Sequence, residues 1–456
     1  MAEARPVLFC CTQSTGLINS SLVLAAELAE RGVPDLWFAS DDNRQAEVEK
    51  TSSVSQVRFV PLGPVDDSLA ATRWDDETYR EVTQRSRFKA QRARVRVSMK
   101  ADFTADKYRR LCEAVDEIRP ALMVINSLAT YALQVAVVKR VPFIVVAPFL
   151  PGDLCPEDVG PDYPAPLSGL PRERTFRQEW AHRYFRLRMA TIWLDWKILS
   201  RSAKYLRAMR ELDVPQKFYD PAKLFKRAEK ILCFSLLELD YPFVPPANLV
   251  TVGNLVPPLP ETDGDDALTR WLDACESVVY VAFGTITRLT AGEVSAMVEV
   301  ARTLEGEHHV LWKLPLEQQH LLPPADQLPG NLRIEDWLPS QYDVLAHPSV
   351  RVFFNHGGSN SFHEGLYFGK PLLVRPLWLD CYDHAVRAVE SGAGLTVDRP
   401  NRLDADDVVA KLRALTTDPK FRRNAERIAE LQRAAGGAAA AADVVVQTVR
   451  PGAPTR

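Results

Sequence analysis

Short runs of apolar, largely β-branched residues alternate along the chain with longer segments in which apolar residues recur at helical spacing. In the first half the short runs span residues 7–11, 36–40, 57–62, 121–126 and 143–149. In the second half they span residues 230–235, 277–284, 309–314, 332–337, 350–356 and 372–377. Helical patterns lie between them, at 22–31, 131–140, 291–304 and 361–368. This alternation predicts an α/β protein with two doubly wound, Rossmann-like parallel sheets.

The chain has 456 residues, which is too long for one compact core. A proline-rich and acidic segment, residues 241–266, divides it and predicts a stiff linker. We therefore expect an N-terminal domain over 1–240, the linker, a C-terminal domain over 267–430, and a helix or tail over 431–456. Because parallel sheets bind ligands at the carboxyl ends of their strands, two such domains predict a binding cleft between them.

Composition excludes several classes of protein. Apolar residues make up 46% and charged residues 25% of the chain, which indicates a globular protein rather than a disordered one. The 56 Lys and Arg nearly balance the 59 Asp and Glu, so no overall field attracts nucleic acid. Seven cysteines without a C-x-x-C pair suggest neither a disulfide framework nor a zinc site. We expect a cytoplasmic protein, because the first apolar run is too short for a signal or membrane segment.

Two stretches carry local positive charge. Residues 80–100 contain eight Lys and Arg against one Glu, a net +7. Residues 172–210 contain eleven Lys and Arg against three Asp and Glu, a net +8, and also include Trp180, Trp193 and Trp196. They are typical either of solvated helix faces or of a weak contact with an anionic acceptor or a membrane surface. The pattern does not by itself argue for nucleic acid.

The most informative stretch joins a predicted strand to a predicted helix. It lacks the usual dinucleotide and P-loop signatures, which disfavours a dehydrogenase or a P-loop enzyme. Gly357 and Gly358 allow the backbone to approach a ligand closely, and a helix start offers N–H groups to a diphosphate. His356 and Ser361 add hydrogen-bond donors, and Glu364 could bind ribose hydroxyls. Alternatively, Ser361-x-x-Glu364 is a capping box that needs no ligand.

A longer pattern surrounds this stretch and resembles the donor-binding signature of family 1 glycosyltransferases, the UDP-glycosyltransferase-like family that includes bacterial natural-product enzymes. The matching segments are Trp337-Leu-Pro-Ser-Gln341, Asp343-Val-Leu345-Ala-His347-Pro348, His356-Gly-Gly358-Ser-Asn-Ser361-x-x-Glu364, Gly369-Lys-Pro371, Pro376-Leu-Trp-Leu-Asp380 and Gly392-Ala-Gly394. The resemblance implies the GT-B fold, two Rossmann-like domains facing across a cleft. It also implies an inverting hexosyltransferase that needs no metal and no cofactor beyond its nucleotide-sugar donor, with UDP or dTDP as the nucleotide.

The same resemblance implies roles for the donor site. Trp337 would stack on the base, Gln341 would lie near the base or ribose, and Glu364 would hold the ribose. The phosphates would be bound by Thr285, His356, Gly358, Asn360 and Ser361. Asp380 would bind the sugar hydroxyls together with Cys381, which stands where the family commonly has Gln. A thiol replaces an amide poorly, so the identity of the sugar stays open.

The acceptor half departs from the family. Leu17 occupies the position of the histidine that deprotonates the acceptor, and Asn126 that of the aspartate that orients it. We therefore expect a small-molecule acceptor, from specialised metabolism, that needs little deprotonation, such as an acidic O–H or an N–H group. Asp153, in a proline-rich loop, is the nearest substitute base, and Asp380 is a weaker one. The alternative is a non-catalytic GT-B protein that binds a sugar nucleotide or activates a partner.

Overall fold

The computed structural model describes residues 5–12, 15–51, 56–65, 70–259, 267–338 and 340–449. These residues fall into two compact units. The first holds the described residues of Met1–Tyr163, Arg183–Pro257 and Ala434–Arg456, and the second holds those of Pro164–His182 and Pro258–Arg433. The acidic end of the predicted linker, 260–266, and the end of the predicted tail, 450–456, lie outside the described residues.

The first unit is built on a sheet of seven parallel strands in the order β3-β2-β1-β4-β5-β6-β7. Its strands are β1 Val7–Cys10, β2 Leu36–Ser40, β3 Arg58–Pro61, β4 Leu122–Asn126, β5 Phe143–Ala147, β6 Lys230–Cys233 and β7 Leu249–Thr251. All residues of β1, β4 and β5 are buried, because helices cover both faces of a parallel sheet. On one face Phe9 stacks on Phe38, with ring centroids 5.6 Å apart.

Helices connect these strands. In chain order they are α1 Thr15–Glu30, α2 Gln45–Glu49, α3 Asp76–Val82, α4 Arg87–Ser98, α5 Ala101–Ile118, α6 Thr130–Lys139, α7 Pro151–Leu154, α8 Phe176–Ala190, α9 Trp196–Glu211 and α10 Pro221–Phe225. Two apolar clusters, one on each face of the sheet, make up the core of the first unit. None of the described helices is both long enough and apolar enough to span a bilayer.

The second unit has six parallel strands in the order β10-β9-β8-β11-β12-β13. The strands are β8 Val278–Ala282, β9 His309–Lys313, β10 Leu332–Glu335, β11 Val350–Asn355, β12 Leu372–Val374 and β13 Gly394–Thr396. Its helices are α11 Ala267–Asp273, α12 Ala291–Thr303, α13 Leu316–Gln319, α14 Gln341–Ala346, α15 Ser359–Tyr367, α16 Cys381–Glu390, α17 Ala405–Thr417 and α18 Pro419–Ala434.

The last described helix, α19 Gly437–Val449, returns to the first unit. Its residues Ala441, Ala442 and Val445 are fully buried in the apolar cluster around β1. At its surface, Arg31 donates a hydrogen bond of 2.6 Å to Asp443. The end of the chain therefore completes the core of the first sheet.

The structure confirms the predicted α/β architecture and its two parallel sheets. Every predicted strand is present, usually shortened by one or two residues at its ends. The sequence prediction missed β7 and β13, each of three residues, because so short a run carries no periodic signal. It also did not anticipate that Pro164–His182 packs with the second unit, although this segment precedes β6 of the first.

Candidate nucleotide-sugar site

The order of the second sheet identifies where a ligand can bind. The chain moves outward from β8 to β10 on one side and from β11 to β13 on the other, so β8 and β11 flank the switch point. At such a point the loops diverge and leave a crevice at the carboxyl ends of the strands. Gly284 lies just after β8 and His356 just after β11. The two predicted phosphate-binding loops therefore meet at the switch point.

The imidazole of His356 is seated between two glycines. A Cβ on Gly284 would lie 2.7 Å from His356 Cε1, and a Cβ on Gly358 would lie 2.4 Å from His356 Nε2. Gly284 also has φ +74°, a left-handed conformation that favours glycine. Any larger residue at either position would displace the ring. Thr285, the next residue of the β8 loop, is exposed.

Burial keeps the His356 imidazole neutral. Desolvation, followed by the nearby His384, lowers the pKa of His356 to about 4. Its Nδ1 is buried and has no hydrogen-bond partner among the described residues. The ring also approaches Trp378 of the β12–α16 loop, with centroids 5.6 Å apart. At neutral pH the ring therefore has one N–H to donate and no charge.

Helix α15 begins without a side-chain cap. Gly358 is its N-cap, no side chain accepts a hydrogen bond there, and the first turn carries no acidic residue. Ser361 is the third helical residue rather than the cap, so the capping-box interpretation of Ser361 and Glu364 is wrong. The N–H groups of this first turn point outward without an intrahelical partner and can receive an anion. Asn360 is partly exposed in the same turn, whereas Ser361 is buried.

Glu364 belongs to a buried hydrogen-bonded chain. Gln341 Nε2 donates to Glu364 at 2.5 Å, and the Tyr280 hydroxyl donates to Gln341 Oε1 at 2.9 Å. Tyr280 is fully buried and stacks on Phe353 with centroids 4.9 Å apart. These two hydrogen bonds fix both the position of Gln341 and the orientation of its amide. The structure thus brings together two residues that the sequence predicts at the ribose.

The surroundings of Glu364 include a cation and an aromatic ring. Burial raises the pKa of Glu364, while hydrogen bonds from Gln341 and Tyr342 and the charge of Lys313 oppose that shift. The Lys313 ammonium, at the end of β9, lies 4.2 Å from the centroid of the Trp337 ring. Trp337 itself is 63% exposed, so one face of its indole is open to a stacking partner.

The predicted sugar-binding residues lie at the start of α16. Burial raises the pKa of Asp380 to about 6. Its carboxylate lies 3.8 Å from Nδ1 of His384, which in turn donates to the Gly357 carbonyl at 2.9 Å. His384 therefore links the start of α16 to the glycine turn. Cys381 has no exposed surface, and its backbone lies against Gly357.

A second carboxylate of α16 anchors the Pro164–His182 segment. Asp383 accepts hydrogen bonds from the backbone N–H groups of Leu167 at 2.5 Å and Gly169 at 2.7 Å. Both residues have positive φ, 66° and 55°, so that their N–H groups converge on one carboxylate. Because Asp383 stands one turn after Asp380, this segment lies beside the predicted sugar site.

The acceptor-side residues lie in the first unit, where β1 and β4 flank the switch point of the sheet. Leu17, in the first turn of α1, is buried in an apolar cluster. Asn126 ends β4; its Oδ1 accepts from the N–H of Leu128 at 3.0 Å, and its Nδ2 has no partner in the described part of the chain. Asp153 lies in α7, after the neighbouring strand β5, and is partly exposed.

Sequence reasoning missed three residues that line the candidate donor site, Tyr280, Lys313 and Asp383, whereas it did consider that His384 faces the cleft. Each of the three stands within or directly after an element that the sequence already predicts, but none matches a local motif. The position of Lys313 at the end of a buried strand was the one available signal, since a lysine there must point towards the ligand edge or pair with a charge.

The chain is similar to characterised glycosyltransferases. A family model described as "UDP-glucoronosyl and UDP-glucosyl transferase" matches residues 26–435. The UDP-glucuronosyltransferase 2A3 of Cavia porcellus is 25% identical over 315 residues, which cover 65% of this chain and 54% of the relative. The chain thus spans about half the length of this relative.

Two solved structures share the fold. The glycotransferase of kitacinnamycin superimposes with a TM-score of 0.72 at 21% identity, covering 98% of this chain and all of the other. A UDP-glucose: anthocyanidin 3-O-glucosyltransferase, solved in complex with UDP, superimposes with a TM-score of 0.66 at 21% identity, covering 98% of this chain and 99% of the other. The architecture is therefore GT-B. With most of its length matched by the family model, the chain belongs to the UDP-glucuronosyl and UDP-glucosyl transferase family.

Proposed function

We propose that this protein is a metal-independent, inverting hexosyltransferase that moves a sugar from a UDP- or dTDP-sugar to a small-molecule acceptor. One observation carries the proposal: a neutral His356 is held between Gly284 and Gly358 at the uncapped start of α15. This arrangement offers hydrogen-bond donors to a diphosphate at the switch point of the sheet. Membership of the family supplies the reaction type.

In this proposal the diphosphate leaves as the acceptor attacks the anomeric carbon from the opposite face. The N–H groups of the first turn of α15 and the His356 N–H stabilise the charge that grows on the leaving oxygen. Because the ring and the helix are fixed before the donor arrives, no rearrangement is needed during the reaction. A neutral His356 acts as a hydrogen-bond donor whose contribution does not vary between about pH 5 and pH 8.

The nucleoside would occupy the other half of the crevice. The open face of Trp337 would stack on the base, and Glu364, oriented by Gln341, would accept from the ribose hydroxyls. Asp380 would accept from the sugar hydroxyls. Since Cys381 is buried, the sugar would have one side-chain partner fewer than a family member with glutamine there, and we leave the hexose undefined.

Calorimetry with UDP and dTDP tests the donor assignment. His356→Ala should weaken binding of the preferred nucleotide by about ten- to hundredfold, because one hydrogen bond to a charged oxygen contributes roughly 1.5–3 kcal/mol. His320→Ala is the matched control, since His320 is an exposed histidine of the same unit. Equal affinity in wild type and His356→Ala would refute the phosphate role. Transfer assays with and without EDTA test metal independence.

For the acceptor we propose a specialised metabolite whose nucleophile is already acidic, such as a carboxylate, a phenol or a heteroaromatic N–H. The likeness to the glycotransferase of kitacinnamycin supports a natural product. The replacement of the dyad by Leu17 and Asn126 supports an acidic group, because a missing general base costs about 10²–10⁴ in rate for an ordinary alcohol. Asp153, partly exposed beyond β5, is the substitute base to be tested.

Variants separate these possibilities. Leu17→His with Asn126→Asp should accelerate transfer to simple alcohols, and Leu17→Asn with Asn126 retained controls for added polarity without a base. Asp153→Asn should leave transfer to acidic acceptors unchanged if the acceptor provides its own nucleophile, whereas a loss of about 10² or more would make Asp153 the base. If the protein binds the donor but transfers sugar to no component of an extract of the cells that make it, the non-catalytic alternative would be favoured.

A further inference from the structure

The first unit exposes an unusual concentration of large apolar side chains. Of the fifteen exposed large hydrophobic residues in the described part of the chain, six lie within sixteen positions: Tyr184, Leu187, Trp193, Leu194, Trp196 and Leu199. Trp196 is 78% exposed and Leu194 75%. Single exposed apolar residues are ordinary, but six of them in one short stretch of chain indicate a surface that another phase or molecule covers. We name residues 183–210 the basic-aromatic surface.

The outward orientation of these residues is fixed by what packs underneath. Ile192 and Ile198 are buried against Phe88 of α4, with Met189 beside them. Within α8, Tyr184 and Leu187 are three positions apart and so share the face opposite to Met189. The short 3₁₀ helix Thr191–Leu194 turns Ile192 inward and leaves its neighbours Trp193 and Leu194 outside. The exposed group is therefore the solvent side of a well-packed element.

The charges of this surface have one sign. Residues 183–210 contain eight Lys and Arg and a single acid, Asp195. That carboxylate is already engaged, because it accepts from Arg96 of α4 and caps α9 through the N–H groups of Lys197 and Ile198. The Arg188 guanidinium lies 4.1 Å from the centroid of the Phe88 ring and donates to the Tyr184 hydroxyl, so it adds a positive charge beside the apolar side chains. The covering partner must be anionic and apolar together.

These requirements select among partners. A second copy meeting the same surface would place like charges opposite each other, which opposes a symmetric dimer. Single-stranded nucleic acid would stack on the tryptophans but offers nothing to Leu187, Leu194 and Leu199. A bilayer containing anionic lipids offers acyl chains to leucines, an interface to tryptophans and phosphates to arginines.

We propose that the basic-aromatic surface docks the first unit onto anionic lipid bilayers. The helix α9 and the 3₁₀ helix before it would lie in the plane of the interface, with their leucines and tryptophans inserted and Arg186, Lys197 and Arg201 at the phosphates. The surface lies in the crossover between β5 and β6 of the first sheet. The docking inference does not depend on the proposed transferase activity.

Vesicle flotation of the purified full chain, without any sugar donor, tests the proposal. We expect the protein to float with vesicles of phosphatidylcholine and phosphatidylglycerol, and to do so far less with phosphatidylcholine alone or in high salt. Trp193→Ser with Trp196→Ser should weaken partitioning at least about tenfold. Neutralising Arg186, Lys197 and Arg201 to Gln should weaken it about fivefold per charge.

Matched variants of exposed residues elsewhere serve as controls. Val244→Ser with Leu316→Ser removes apolar side chains that are 84% and 66% exposed, and Arg423→Gln with Arg427→Gln removes exposed charges. Thermal unfolding checks that every variant folds, which we expect because the substituted side chains face solvent. No flotation with anionic vesicles, or an equal loss in the control variants, would overturn the proposal. Binding to an immobilised acidic polypeptide without binding to vesicles would also overturn it and assign the surface to an acidic protein.

Discussion

The substitution Gly358→Ala tests the central feature of the donor site, the seating of His356 between two glycines. Gly358 has φ −60° and ψ 146°, an extended conformation that alanine adopts freely, so the backbone carries no strain. The new Cβ would lie 2.4 Å from His356 Nε2 and 2.9 Å from Cε1. Since ordinary carbon contacts begin near 3.5 Å, the ring must withdraw by about 1 Å.

The expected magnitudes follow from that displacement. Crowding of a packed ring costs roughly 1–3 kcal/mol of folding free energy, and alanine as N-cap adds up to about 1 kcal/mol. A group moved by 1 Å from its productive position can lose about 10² in turnover. We therefore expect Gly358→Ala to lower the free energy of unfolding, weaken nucleotide binding and slow transfer.

A double-mutant cycle with His356→Ala isolates the crowding. In the His356→Ala background no ring is present to collide with, so Gly358→Ala should cost only the N-cap contribution. The coupling free energy should therefore equal the crowding cost, about 1–3 kcal/mol. Urea denaturation and calorimetry with UDP measure both effects. Gly160→Ala is the control, because a Cβ there meets nothing within 4 Å. Equal losses in both backgrounds would refute the reasoning.

Three further predictions concern other groups of the second unit. Tyr280→Phe should cost about 1–2 kcal/mol of unfolding free energy, measured in urea, and weaken UDP binding, because Gln341 Oε1 loses its donor. Burial lowers the pKa of His363 to about 3, so between about pH 6.5 and pH 3 the unfolded chain binds a proton at this residue and the folded chain does not. His363 should therefore lower the free energy of unfolding by about 1.4 kcal/mol for each pH unit of acidification in this range. His363→Gln should remove this contribution from the pH dependence of the free energy of unfolding. Burial raises the pKa of Asp380 to about 6, so Asp380 is protonated below that pH and accepts hydrogen bonds from the sugar less well. The ratio of the affinities for UDP-sugar and UDP, measured by calorimetry, should therefore fall by up to about tenfold per pH unit below pH 6. An equal ratio at pH 5 and pH 7 would contradict a sugar-binding carboxylate.

The residues predicted to bind the donor follow strands of the second sheet, so their common position at one edge of that sheet depends mainly on topology. In a parallel sheet the loop after every strand starts at the same edge, so Gly284, Trp337 and His356 lie at that edge wherever their strands are placed correctly. Strand placement succeeded because buried parallel strands are continuous apolar runs. Predicting the position of these residues at the sheet edge thus required no knowledge of side-chain orientation or loop geometry.

Where the prediction failed, the deciding information was local geometry or long-range packing. Ser361 would be the N-cap if α15 began three residues later than it does, and helix starts are not predicted from sequence that closely. The association of Pro164–His182 with the second unit depends on Asp383, more than two hundred positions away in the chain. No spacing rule connects these residues.

The switch points of the two sheets differ in how their polar groups are satisfied, and this difference bears on the acceptor. In the second unit Tyr280, Gln341 and Glu364 are joined by hydrogen bonds before any ligand arrives. In the first unit buried polar atoms near the ends of β1 and β4 have no partner among the described residues: Thr12 Oγ1, Asn126 Nδ2, Ser127 Oγ and Tyr131 Oη.

None of those four groups is a base at neutral pH, and burial raises the pKa of Tyr131 further. A buried carboxylate that acts on Tyr131, Asp41 after β2, accepts a hydrogen bond from the Lys107 ammonium at 2.8 Å. Such a pair is costly to break, because either charge left alone would be buried without compensation. Apart from Asp153, which is partly exposed in α7, these groups of the first unit would orient a polar acceptor group through hydrogen bonds rather than remove a proton from it. An acceptor that arrives as an anion, or with an acidic N–H or O–H, is the one whose chemistry this arrangement suits.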